Sequence, residues 1–286
     1  MSWDAVSRYG FVPDDPAVDN NGSFAHLCAD LTAIEATKKP LPCVKFSEGR
    51  YYYSAAPNFA LNNLDMRGEG QVEFIYTGRG QGFVFDGGGS KFNLLVDGIR
   101  FAPSLDGTDT LVLKAIHHSL FRVKAYGASS PINGIRNKAV SLYFCVCTRF
   151  DDLTVTPFDG PSLDWPQALY EQCIGLWLDM LPGAGAGPTC DCQFNNPVIE
   201  VCAIGGYIQF GVGNQLFGGT IEQCTDTGLN IQDGESNKSW ALWLEGNKNY
   251  DVVLGPKARG TNLITKHPSA LKIQNNATWW AGNSVT

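Results

Sequence analysis

Charge is scarce in this sequence: Asp, Glu, Lys and Arg make up 17% of its 286 residues. Long surface helices carry many Glu and Lys, so the scarcity argues for β structure. Basic residues number 21 against 28 acidic ones, for a formal net charge of −7. No basic stripe is present to neutralise phosphates, which speaks against a nucleic-acid partner. The longest basic pair, Lys38-Lys39, follows a predicted helix and reads as a complement to its C-terminal dipole. No apolar run approaches the roughly 18 residues of a membrane helix, so no membrane insertion is expected. Met1-Ser2-Trp3-Asp4 has neither a basic n-region nor an apolar h-region, and no export signal is expected. Paired C-x-x-C zinc motifs, a phosphate loop and a serine-hydrolase elbow are all missing. Neither a metal nor a cofactor is therefore expected.

Glycine is plentiful, with 32 residues, which points to many turns. Nine cysteines are present. An odd number leaves at least one thiol free or paired between chains. Cys145/Cys147 and Cys190/Cys192 have C-x-C spacing, and the cysteines read as small buried hydrophobes with the disulfide pattern left open. His117-His118 is the one histidine pair; alternation would bury one ring, hydrogen-bonded, and expose the other.

Residues 1–21 are polar and turn-rich. Capping residues from Asp19 to Ser23 precede Phe24, Leu27, Cys28, Leu31 and Ile34 at near-helical spacing. This predicts one helix over about 23–38, ended before Pro40. The period then changes to two. Val44 and Phe46, then Val72, Phe74 and Tyr76, alternate with polar residues between Gly, Asn and Asp turns, as short strands do.

Internal repeats decide the architecture. Val198-Ile199-Glu200-Val201-Cys202 recurs as Thr220-Ile221-Glu222-Gln223-Cys224, and then as Trp243-Leu244-Glu245-Gly246-Asn247. Gly98-Ile99-Arg100-Phe101 aligns with Leu120-Phe121-Arg122-Val123, and Asp152-Leu153-Thr154-Val155 fits the same slot. A second ladder runs through Thr110-Leu111-Val112-Leu113, Ser141-Leu142-Tyr143-Phe144, Gly175-Leu176-Trp177-Leu178, Gly228-Leu229-Asn230-Ile231 and Ala270-Leu271-Lys272-Ile273. Each unit is too short to bury its apolar side alone, and stacking builds a continuous core. A β-sandwich gives no fixed repeat of residue type. A leucine-rich repeat needs a Leu and Asn pattern that is missing. Residues 157–173 and 181–197 read as insertions, and loops leaving neighbouring rungs often wall a site.

The opening order is more specific still. An acidic, turn-rich start precedes the helix, and Val44-Lys45-Phe46-Ser47-Glu48-Gly49-Arg50-Tyr51-Tyr52 follows. This resembles the first coil of the pectate-lyase-like superfamily, with Ser47-Glu48 where a proline is common. The resemblance is motif-level over about residues 10–100, and the rungs extend it to about 275. It implies a right-handed parallel β-helix with an N-terminal capping helix: 1–40 the segment and cap, 41–275 the β-helix, 276–286 a tail or second cap. It also implies a polysaccharide-facing protein. The superfamily's catalytic signatures do not carry over: Asp151-Asp152 is present, but its Asn-Thr-Asp, His-Gly and Arg-x-Lys partners are not.

Alternation in the first ladder turns Ile99/Phe101, Phe121/Val123, Leu153/Val155 and Ile199/Val201 inward. Arg100, Arg122, Thr154, Glu200, Glu222 and Glu245 then point outward in one column. Glu200, Glu222 and Glu245 are the candidate catalytic residues. Neighbouring carboxylates raise one another's pKa, and a pair about 5–5.5 Å apart suits a retaining glycosidase. A solvated surface ladder is the competing reading. Arg122, Tyr143, Trp165, Trp177 and Trp243 are the candidate substrate-binding residues, because exposed aromatic faces stack on sugar rings. Within the superfamily that the sequence resembles, the expected lack of an export signal, the cap beginning near residue 10 and the many cysteines look more like a virion-associated, tailspike- or fibre-like protein than a secreted enzyme. It is expected to be a homotrimer that touches host surface polysaccharide and other virion proteins. A free-standing bacterial polysaccharide lyase or glycoside hydrolase is the alternative.

Overall fold

The structure, a computed structural model, describes residues 2–103, 108–127, 137–157, 173–181, 187–266, 270–277 and 283–286. Every strand pairing among them is parallel, in one 14-stranded and one 10-stranded sheet. Short strands at steps of about one coil pair with their counterparts, and the chain forms the expected parallel β-helix.

Three long faces run up the solenoid. The first face takes the leading halves of Cys43–Tyr53, Asp65–Tyr76, Leu95–Pro103 and Leu120–Gly127, then Arg149–Asp151, Gln193–Asn195 and Gln215–Phe217. The second face takes the trailing halves, then Thr154–Pro157, Val198–Glu200, Thr220–Glu222 and the end of Lys238–Glu245. The third face runs from Gly80–Phe92 through Thr108–His117, Lys138–Tyr143, Ile174–Asp179, Ile204–Ile208 and Thr227–Glu235 to Tyr250–Arg259.

Inward residues fill the tube. Phe121, Phe150 and Phe194 stack on successive rungs with centroids 5.1 and 5.2 Å apart. At the N-terminal end, α2 (Asn21–Ala36) lies across the opening and buries Phe24, Leu27 and Leu31. The Phe24 ring meets Phe74 edge-on at 5.3 Å. The capping residue before it acts differently from a simple N-cap. The Asn20 side chain makes no bond to the helix. It accepts from the Val12 N–H at 2.8 Å and donates to the Tyr52 carbonyl at 3.0 Å, tying the helix to the first coil.

The opening residues hold more structure than their polarity suggests. Ser2–Asp4 adds a strand beside Cys43–Tyr53. A short helix α1 (Ala5–Tyr9) follows, capped by the Asp4 carboxylate and closed by left-handed Gly10. Part of the expected second insertion also rejoins the solenoid, as Thr189–Cys190 and Gln193–Asn195.

Several expected registers are corrected. Gly98 sits at φ +70 and inserts a residue between Asp97 and Ile99. Arg122 therefore stacks on Asp97, and Arg100 stacks on Lys124. Thr154 pairs with Val198, so the position below Glu200 is Thr156. Leu142 pairs with Leu113, not Leu111, and Ile273 pairs with Val252. Val201 does not point into the tube with Ile199. It takes a left-handed corner at φ +55, and Cys202 fills the interior instead.

Candidate functional site

The second face carries an outward carboxylate ladder. Ile199, Ile221 and Leu244 are buried in the tube, so strand alternation turns Glu200, Glu222 and Glu245 out. The three are direct cross-strand partners on adjacent rungs, at a rung spacing of about 4.8 Å. The register read from the repeat therefore holds here. Burial raises the Glu222 carboxyl above its ordinary range, and the neighbouring Glu200 raises it further while Thr220 opposes. Glu222 keeps its proton to higher pH than a free glutamate. A protonated carboxyl beside a second one is the arrangement that acid-assisted glycoside cleavage uses.

Trp243 stands on the same face as Glu245. Its indole N–H donates to Glu245 Oε2 at 2.8 Å, which fixes both side chains at the upper end of the ladder. Below Glu200 the same column continues as Thr156, Tyr126, Ala102, Ile75 and Tyr52. The last four form a small buried apolar cluster of their own. The expected basic end of the ladder is not there.

Arg122 lies on the first face, within an ion-pair column. Its guanidinium sits 3.3 Å from Asp97 and 3.7 Å from Asp151. Asp151 is also held by Arg149 and by Asn195 Nδ2 at 2.7 Å, and Arg149 above all keeps its carboxyl below the usual range. Arg122 is thus separated from the glutamates and already engaged.

Tyr143 and Trp177 lie on the third face. Trp177 pairs with Ser141 below and Tyr207 above, whereas Tyr143 pairs with Lys114 and Asp179. The Trp177 and Tyr207 rings stack at 4.7 Å and 9°. Lys138 Nζ, from the rung below, lies 5.1 Å from the Trp177 centroid. With both faces occupied, Trp177 offers a ring edge rather than a platform. Trp165 lies outside the described residues.

Sequence reasoning missed the residues around this pair. Asp109 forms an ion pair with Lys138 at 3.5 Å. Burial raises the Asp109 carboxyl against the pull of Lys138, and it raises Asp179 against the Met180 N–H, the Trp177 edge and Lys138. Burial also pushes the Tyr143 hydroxyl up, with Asp109 and Asp179 adding to it. The usable signal was the register: once Leu113 is paired with Leu142, Tyr143 falls beside Asp179.

A concavity of about 510 Å³ at the end of α2, lined by Glu35, Lys39 and Asn62 among others, collects none of these residues. Among the described residues, no cluster of His, Cys, Asp and Glu is placed to hold a metal ion, and no helix is long and apolar enough to cross a membrane. All nine cysteines are free thiols.

No protein-family model and no curated protein sequence matches the chain. Solved structures do. A protein of Geobacillus virus E2, ORF18, superposes with a TM-score of 0.66 at 13% identity, over 96% of this chain and 59% of that one. The chain shares the parallel β-helix fold of these solved structures. The enzymatically active domain of tailspike protein 2 of bacteriophage CBA120 superposes with a TM-score of 0.58 at 10% identity, over 96% of this chain and 46% of that one. The Agl-KA catalytic domain gives 0.51 at 12%, over 92% and 46%. The chain spans about half the length of these solved structures.

Proposed function

We propose that this protein is a tailspike-like appendage whose outer wall contacts a host surface polysaccharide, with Glu200 and Glu222 as its cleavage centre. The observation that carries this reading is the in-register pair Glu200 and Glu222. The fold it shares with the CBA120 tailspike domain supports the virion setting. In the proposed reaction Glu222, whose carboxyl burial and the neighbouring Glu200 raise above its ordinary range, protonates the glycosidic oxygen. Glu200 attacks the anomeric carbon, and water then releases the sugar with Glu222 acting as base. Glu245 and Trp243, fixed by their mutual hydrogen bond, mark the adjoining subsite. Tyr143 and Trp177 contribute a second contact on the third face.

The appendage acts as a homotrimer beside other virion proteins, because a β-helix leaves broad faces that closed symmetry buries. A free-standing carbohydrate-active enzyme, the reading that likeness to the Agl-KA catalytic domain favours, would use the same carboxylates as a monomer.

The test is incubation with a panel of purified bacterial surface polysaccharides, followed by chain length and reducing ends. Cleavage by the wild type, lost in Glu200→Gln and Glu222→Gln with assembly intact, is the expected result. Cleavage that survives both substitutions moves the centre elsewhere. Light scattering, with and without reductant, decides the assembly: three times the chain mass supports the appendage, and a monomer supports the free enzyme.

A further inference from the structure

The two C-x-C pairs of the sequence, far apart along the chain, meet on adjacent rungs. Val146 bridges Cys190, and the Cys147 N–H donates to the Cys190 carbonyl at 3.1 Å. Both segments turn the same corner, between the third and first faces. Cys147 takes it at φ +51, and Asp191 takes it one rung on at φ +52.

The four thiols divide between the two sides of the wall. Cys145 and Cys192 are fully buried in the tube, where the Cys192 thiol lies 3.5 Å from the Cys145 carbonyl. Val146 follows inward Cys145 and points outward, and its bridge partner Cys190 points outward with it. Cys147 is exposed at the corner and Cys190 is half-buried. Cys147 acts electrostatically on the Cys190 thiol. A rung step of about 4.8 Å and an offset of one residue, about 3.3 Å, separate their Cα atoms by roughly 6 Å. A disulfide spans about 4.4–6.8 Å between Cα atoms.

We infer that Cys147 and Cys190 form an oxidisable dithiol that closes a disulfide between neighbouring rungs when the chain meets a small-molecule disulfide. This inference does not depend on the glycan reading. Cys147, the more exposed thiol, loses its proton and attacks one sulfur of the oxidant. The oxidant's S–S bond breaks, one half leaves as a thiolate, and a mixed disulfide forms on Cys147. The Cys190 thiolate then attacks the Cys147 sulfur and expels the second half. The protein gives up two protons and two electrons, and the oxidant becomes two thiols. The bond pins the two-residue strand Thr189–Cys190, where the chain re-enters the solenoid after the second insertion, to the coil below. Closing the long loop from Cys147 to Cys190 also restricts the unfolded chain. Cys145, Cys173, Cys192, Cys202 and Cys224 are buried and lie out of the oxidant's reach.

The experiment treats the folded full chain with oxidised glutathione at mildly alkaline pH. Burial and Asp191 raise both thiols, and the thiolate is the attacking form. Intact mass, peptide mapping without reduction and thermal melting read the result. A mass lower by two hydrogens, a peptide pair joining Cys147 to Cys190 and a melting temperature above that of the reduced protein are expected. In Cys190→Ser, glutathione should stay on Cys147 as a mixed disulfide, with circular dichroism unchanged and the melting gain lost. A bond between any other pair overturns the assignment. So does glutathione held on wild-type Cys147 without closure, and so does recovery of all nine thiols free.

Discussion

The Cys202 thiol lies 3.4 Å from the backbone carbonyl of Glu200, so an inner thiol backs the outer carboxylate. One rung on, Cys224 meets the Glu222 carbonyl at 3.7 Å in the same way. The left-handed corners at Val201 and Gln223 make this possible. Each inserts one residue that neither strand uses, which turns the next side chain into the tube. Inner and outer ladders are therefore set by one corner geometry, and the glutamates keep their register because the thiols behind them keep theirs.

The stacked glutamates should cost stability at neutral pH. Glu222 has a raised folded-state pKa, so it contributes stability below the unfolded value of about 4.5 and loses it as pH rises through the folded value. Glu222→Gln removes the repulsion, which is worth roughly 0.2–1 kcal/mol for a like-charged cross-strand pair. Thermal melts should show the variant above the wild type at pH 7 and level with it near pH 4. An equal gap at both pH values would mean that the carboxyls do not interact.

Val201 is a β-branched residue held at φ +55, where the side chain crowds the backbone at a cost of about 1–2 kcal/mol. Gly246 occupies the matching corner two rungs later at φ +66. Val201→Gly should therefore stabilise the fold by ~0.5–1 kcal/mol, after the entropy that glycine adds to the unfolded chain. Chemical denaturation checks the sign. A loss would mean that the half-buried Val201 side chain packs more than it strains.

How much of this was legible follows from coil length. Ile199-Glu200, Ile221-Glu222 and Leu244-Glu245 sit on coils of 22 and 23 residues without a bulge, so residue type alone aligned them. The helix was legible from Phe24, Leu27 and Leu31. Arg122 was misplaced because Gly98 adds a residue that no hydrophobic pattern marks. The third-face rung at Gly205-Gly206 was missed because glycine shows no apolar side chain. With that rung unseen, the stack of Trp177 on Tyr207 stayed hidden.

His117 should make the fold acid-sensitive. Its ring is 7% exposed with Nε2 unpaired, packed 5.3 Å from Phe92 and from Phe144. Burial lowers its pKa below the ordinary 6.5, and the adjacent His118 lowers it further. A depressed folded value means that the stability is present above the unfolded pKa and is lost as pH falls toward the folded one. Melting temperature should drop from pH 7 to pH 5 in the wild type and drop less in His117→Gln. Parallel curves would assign the acid loss to other groups.

Asn214 should be the most costly single polar residue to remove. It is fully buried at the corner between the third and first faces. Its Oδ1 accepts from the Cys192 N–H at 3.1 Å, and its Nδ2 donates to the Thr189 carbonyl at 3.0 Å and to Asn237 Oδ1 at 3.1 Å. Asn237 repeats the motif one rung on, accepting from the Asn214 N–H at 3.2 Å and donating to the Gly211 carbonyl at 2.9 Å. Asn214→Ala leaves the Cys192 N–H and the Thr189 carbonyl buried without those partners, at about 1–3 kcal/mol for each unsatisfied group. The loss should total ~2–5 kcal/mol by denaturant unfolding. Because the ladder links neighbouring rungs, hydrogen exchange should quicken at Cys192 and at Lys238, whose N–H donates to the Asn214 carbonyl at 2.8 Å. Exchange that quickens at neither amide would show the corner held by backbone pairing alone, with the amide ladder adding nothing.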